Sequence, residues 1–193
     1  IMASNGSIDD VSRREFITGL GLTGAGAAAG LSYFMSKDNI PRPKSDQVNV
    51  ACIGVGARGT ALMRAVLRCP GSNVIGVCDV RPEKRKAAEG EIKRSNKAQG
   101  KPDDKIVLTD DYRKILADPR VQAVTIATPH YLHGPMAMDA IEAGKHTYCE
   151  KAMAYTIGEC RDIYRMVTEA NQAKPLIFQV GHQRHYSKLY RKV

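Results

Sequence analysis

Tryptophan is absent from this sequence and phenylalanine occurs only three times, so a core has to be assembled from Val, Ile, Leu, Ala and Met. Cysteine is sparse as well as odd in number: Cys52, Cys69, Cys78, Cys149 and Cys160 form no Cys-x-x-Cys pair. That pattern excludes a disulfide framework and a zinc-ribbon type of site, and no metal site is expected. Cys52, Cys78 and Cys149 fall in apolar runs, where a free thiol behaves as a small buried hydrophobe. No internal repeat or low-complexity tract interrupts the chain. At 193 residues, 43% of them hydrophobic, there is enough chain for one domain and a fragment of another.

The net charge of +9 raises the question of a nucleic-acid partner, and its distribution answers it. The excess sits entirely in residues 81–101, with eight basic and three acidic residues, and in the tail 184–193, with four basic residues and no acid. No aromatic residue interleaves with the first cluster and no nucleic-acid motif is present, so it reads as the solvated face of a surface helix. Nucleic-acid binding is not expected.

The first 47 residues read as an address rather than as fold. Ser12-Arg13-Arg14-Glu15-Phe16-Ile17 precedes an uncharged, Gly/Ala-rich stretch from Phe16 to Met35. Paired arginines before such a run resemble a twin-arginine export signal, read by the export machinery, with Ala27-Ala28-Ala29 a candidate cleavage region. Residues 1–35 are assigned to this signal, which implies a periplasmic destination. Twenty uncharged residues also have the length to cross a bilayer, although five glycines make the run weakly hydrophobic. An uncleaved membrane anchor therefore stays open. Residues 36–47 are polar, contain two prolines and read as a linker.

From Val48 onward, strands and helices alternate. Strands are expected at Val48–Ile53, Asn73–Cys78, Ile106–Leu108, Val121–Ala127, His146–Cys149 and Leu176–Val180. Helices are expected at Thr60–Arg68, from Pro82, at Tyr112–Leu116, from about Pro135 to Ala143, and at Ile157–Asn171. Strands that are apolar throughout belong to a sheet covered on both faces. Alternation with helices makes the fold α/β, a doubly wound parallel sheet of the Rossmann type spanning 48–181.

Gly54-Val55-Gly56-Ala57-Arg58-Gly59 matches G-x-G-x-x-G between a strand and a helix, the context that gives the motif meaning. Gly54 permits the turn, Gly56 admits a pyrophosphate, and Gly59 allows close helix–strand packing. Ala57 and Arg58 lie in the same loop, whose free N–H groups favour phosphate. Asp79 ends the second strand, where a carboxylate accepts hydrogen bonds from the ribose hydroxyls of NAD. Arg81, with Arg58 nearby, leaves NADP as the alternative, because an arginine accommodates a 2′-phosphate.

Two further segments follow strands at their carboxyl ends: Thr128-Pro129-His130-Tyr131-Leu132-His133, and Ala143-Gly144-Lys145-His146-Thr147-Tyr148-Cys149-Glu150-Lys151. Together with Val180-Gly181-His182-Gln183-Arg184, these resemble the Gfo/Idh/MocA family of oxidoreductases. The resemblance covers about Val48 to Val193. It implies that Lys151 polarises or protonates the substrate oxygen, that Glu150 contacts the cofactor ribose, and that Thr128, Pro129 and His133 wall the nicotinamide pocket. His133 is carried with Lys151 as a catalytic candidate. The family's proline after Glu-Lys is Ala152 here, which removes a restraint on the backbone at Lys151.

The resemblance also implies a second, α+β substrate domain. Residues 182–193 would be its start and the rest would be missing, so the chain is expected to be inactive alone. The full-length protein is expected to transfer hydride between nicotinamide and a sugar or polyol hydroxyl, as a homo-oligomer. Two rivals stand beside this: a glycosidase of the same superfamily that uses a retained NAD, and a non-catalytic dinucleotide-binding module.

Overall fold

The computed structural model describes residues 47–101 and 105–182. The segment expected to be an export signal, most of the expected linker and the basic tail lie outside the described residues. Six strands form one sheet: β1 (Val48–Ile53), β2 (Ser72–Cys78), β3 (Val107–Thr109), β4 (Ala123–Ile126), β5 (His146–Glu150) and β6 (Phe178–Gly181). Between them run α1 (Ala57–Arg68), α2 (Pro82–Ala98), α3 (Tyr112–Ala117), α4 (His133–Glu142) and α5 (Ile157–Ala173). The strand order is β3-β2-β1-β4-β5-β6, every neighbouring pair parallel. The chain order therefore reverses between β1 and β4, and the crevice at their carboxyl ends is the ligand-binding position of such sheets.

The apolar strands bury both faces, as expected. Ala51 and Ile53 of β1 join one cluster with Ile115, Ala137, Ile141 and Ile163, under α3, α4 and α5. Cys52 of the same strand joins a second with Met63, Leu67, Ala88 and Ile92, under α1 and α2. Alternate side chains of one strand thus serve opposite cores, because successive Cβ atoms point to opposite sides of a sheet. Each such Ile or Met, fully buried, contributes about 1.5–3 kcal/mol.

Several boundaries differ from the sequence expectation, each for a local reason. The first helix starts at Ala57 rather than Thr60, with Gly56 as its cap, so the last glycine of the loop lies inside the first turn. Helix α4 starts at His133, before Pro135. A proline in the first turn costs no helical hydrogen bond, since its amide position would be unpaired there. β6 starts at Phe178 because the preceding amides are taken by side chains: Leu176 N–H donates to Asn171 Oδ1 at 2.8 Å and Ile177 N–H to His146 Nδ1 at 3.0 Å. The basic segment 81–101 lies largely on α2, whose lysines and arginines are exposed or half-buried while Ala88 and Ile92 face the core.

Cys52, Cys78 and Cys149 are buried free thiols. Burial pushes them up to about 11, 12 and 12 respectively, so they stay uncharged and unreactive near neutrality.

Candidate cofactor and active site

The loop after β1 turns sharply at Gly54, whose φ of +83° disfavours any side chain. Its amide donates to the Cys78 carbonyl at 2.8 Å, fixing the turn to β2. A Cβ on Gly59 would lie 1.8 Å from the Gly54 carbonyl oxygen, so the helix packs on the turn only because none is there. Gly56 is different. A Cβ there would meet nothing closer than an Arg81 guanidinium nitrogen at 3.9 Å. The space beside Gly56 is open cavity at a helix N-terminus, which fits a bound pyrophosphate.

Asp79 closes the loop from the β2 side. Its Oδ2 accepts from Val55 N–H at 2.9 Å and its Oδ1 from Arg81 N–H at 3.0 Å, with the Arg81 Nε 3.7 Å from Oδ1. The carboxylate thus organises the backbone of the glycine loop, a task the motif alone does not disclose. Each oxygen keeps a lone pair, so acceptance from a ribose hydroxyl remains compatible with this role.

A cavity of about 500 Å³ runs along this loop, lined by Gly54, Gly56, Ala57, Arg58, Asp79, Arg81, Thr128 and Pro129 among others. Tyr112, Tyr131 and Met136 also line it, and sequence reading did not single them out. A second cavity of about 370 Å³ is lined by Arg58, Ala127, Thr128, His130, His133, Glu150 and Lys151. The two share Arg58, Ala127 and Thr128, at the carboxyl end of β4 where the strand order reverses.

Residues 48–182 match the Gfo/Idh/MocA family, described as an oxidoreductase family with an NAD-binding Rossmann fold. The chain belongs to that family.

Similarity to known proteins agrees with this placement. A glycosyl hydrolase family 109 protein of Shewanella pealeana is 29% identical over 168 residues, 79% of this chain and 36% of that protein. A family 109 protein of Shewanella sp. strain ANA-3 is 38% identical over 127 residues, 63% of this chain and 26% of that protein. The NAD-binding protein of Listeria innocua aligns with a TM-score of 0.58 at 29% identity, covering 73% of this chain and 36% of that one. The scyllo-inositol dehydrogenase of Lactobacillus casei, crystallised with NAD(H) and scyllo-inositol, aligns with a TM-score of 0.65 at 19% identity. It shares the fold, with 76% of this chain and 39% of that one covered. The chain thus spans well under half the length of these proteins.

Within this Gfo/Idh/MocA domain the expected residues come together, in an arrangement the sequence did not reveal. Glu150, its side chain 6% exposed, is paired with Arg58, whose Nε lies 2.7 Å from Oε1. The Glu150 carboxylate, through its hydrogen bond above all, holds the Arg58 guanidinium above its ordinary value. Tyr148 stands beside this pair, its phenol pushed up first by burial and then by the Glu150 charge. Lys151 is exposed at the rim of the smaller cavity, and among the described residues its ammonium pairs with no carboxylate. Its peptide bond to Ala152 is cis. His133, expected among the catalytic groups, is 3% exposed and has both ring nitrogens against backbone carbonyls: Nδ1 at 2.8 Å from Ala152 O, Nε2 at 3.0 Å from Thr128 O. His130, which was not singled out, reaches the Ala154 carbonyl at 3.1 Å. Among the described residues no cluster of His, Cys, Asp and Glu is arranged to hold a metal ion.

Lys145 of the Ala-Gly-Lys-His motif lines neither cavity. It is 8% exposed and its ammonium donates to the Asp118 and Val121 carbonyls at 3.0 and 2.8 Å, tying the turn before β4 to the start of β5.

Proposed function

We propose that the full-length protein is an NAD-dependent dehydrogenase acting on a CH–OH group of a sugar or polyol, and that this chain supplies its cofactor domain and its proton-transfer lysine. The observation that carries the reading is the position of Lys151. It follows β5, on the rim of a cavity that shares Arg58, Ala127 and Thr128 with the phosphate-loop cavity, where a nicotinamide and a substrate carbon would meet. The NAD of this family, when bound, supplies the hydride acceptor.

Oxidation of the alcohol then requires only that the hydroxyl proton leave as the carbon gives up its hydride. The Lys151 amine accepts that proton, and in the reverse direction the ammonium returns it to the carbonyl oxygen. Thr128 and Pro129 wall the cavity between loop and lysine, and Asp79 favours NAD by opposing a 2′-phosphate. Arg81 keeps NADP as a weaker alternative.

The deciding experiment uses the full-length protein. Lys151→Ala is expected to lower turnover by roughly 10²–10⁴-fold, the contribution of a positioned acid or base, with NAD affinity nearly unchanged. Lys151→Arg does not restore it, because a guanidinium does not release its proton at working pH. Wild-type turnover in Lys151→Ala overturns the mechanism.

A second reading is favoured by the glycosyl hydrolase family 109 names of the Shewanella relatives. In that case the same hydride and proton steps act transiently, and the net reaction is cleavage of a glycoside. Product release from a glycoside without net change in nicotinamide absorbance selects it; net reduction of NAD by a free sugar or polyol selects the dehydrogenase.

We further propose that Arg13 and Arg14 direct export to the periplasm. Replacing both by lysine keeps the charge and is expected to retain the protein inside a bacterial host, as cell fractionation would show.

A further inference from the structure

Both catalytic-loop histidines turn away from the role of free acids or bases and bind the backbone of the segment that follows Lys151. His130 and His133 lie one turn apart, their rings edge to face at 5.6 Å. Between them they contact the carbonyls of Ala152 and Ala154, while His133 also contacts Thr128. We infer that His133 is the positioning residue for Lys151: its ring ties the turn that carries the lysine to the carboxyl end of β4, through one hydrogen bond to each strand-end segment. The inference rests on the proposed role of Lys151, and it assigns His133 no contact with substrate.

The chemistry of the ring gives this tie a specific property. Both partners are carbonyl oxygens, which only accept. A neutral imidazole carries one N–H and satisfies one of them; the protonated ring carries two and satisfies both. Closing the tie at both ends therefore takes an N–H on each ring nitrogen, and the ring is buried, so solvent does not replace at full strength a bond lost by substitution.

The consequence is geometric. Thr128 and Ala152 belong to the two segments that must hold a substrate between nicotinamide and ammonium. A displacement of about 1 Å in such a site costs on the order of 10²-fold in rate.

The test is carbonyl-carbon NMR of the 193-residue chain at one fixed pH. Relative to wild type, the Thr128 and Ala152 carbonyl resonances are both expected to move in folded His133→Asn and to stay in place in His130→Asn. If only one carbonyl responds, if neither does, or if His130→Asn moves them equally, the two-ended tie is wrong. In the wild type a His133 ring N–H protected from solvent exchange is expected, and fast exchange of that proton also overturns the tie, so a misfolded His133→Asn chain does not remove the test. In the full-length enzyme, folded His133→Asn is expected to lose about 10²-fold in kcat with KM for NAD within about twofold. Unchanged kcat refutes positioning. Failure of the dehydrogenase reading itself has a different signature: the paired carbonyl response to His133→Asn persists while no sugar or polyol is turned over by the wild type.

Discussion

Arg58 and Glu150 are 92 residues apart in sequence and joined by an ion pair that bridges the two cavities, from the first turn of α1 to the last residue of β5. The carboxylate is nearly buried, whereas the guanidinium side chain is 42% exposed, so solvent screens much of the attraction. A double-mutant cycle of Arg58→Ala and Glu150→Gln, read by urea unfolding at low salt, is expected to give a coupling of about 1 kcal/mol, smaller at high salt. Strict additivity of the two substitutions would mean that the contact does not hold the β5 end to the phosphate loop.

The two glycines of the loop separate binding from folding. Gly56→Val leaves the sheet intact at a cost of about 1 kcal/mol or less, because the new side chain enters open space. It removes NAD binding, since the pyrophosphate needs that space. Gly59→Val, by contrast, destabilises by about 3 kcal/mol or more, its Cβ driven into the Gly54 carbonyl. Calorimetric titration with NAD and thermal unfolding of both variants check the pair; a Gly56→Val chain that binds NAD normally would sink the phosphate-loop assignment.

For Asp79 two effects are expected at once. Asp79→Ser shifts the ratio of dissociation constants toward NADP by about tenfold, through loss of a charge-assisted contact to the ribose and of repulsion against a 2′-phosphate. It also frees the amides of Val55 and Arg81, so affinity for NAD falls further than the ribose contact alone requires. Titration with each dinucleotide decides it, and an unmoved ratio means that Asp79 serves the loop and not the ribose.

Lys145 tests the structural reading of a motif residue. Lys145→Met keeps the aliphatic stem and removes the donor to the Asp118 and Val121 carbonyls. Leaving them without it is expected to cost about 1–3 kcal/mol, with NAD affinity preserved. A stability equal to wild type in urea unfolding would show that water replaces the ammonium fully.

The sequence by itself determined the layers of this protein. Strand identity follows from runs such as Val48–Ile53 and Asn73–Cys78, and the phosphate loop from three glycines between a strand and a helix. Both are local requirements: apolar residues on both faces of a covered strand, and missing Cβ atoms where backbone must turn or approach. The family motifs further marked Glu150, Lys151, His133 and Thr128 as neighbours of one site. What the tertiary structure alone decided is which of these groups are already engaged. Arg58 faces Glu150 and not only a phosphate, Asp79 holds two loop amides, and both nitrogens of His133 meet carbonyls from different strand ends. Those pairings arise because the strand order brings the ends of β2, β1, β4 and β5 side by side. A side chain's partner there depends on register and reach across the sheet, and neither leaves a period or a spacing in the chain.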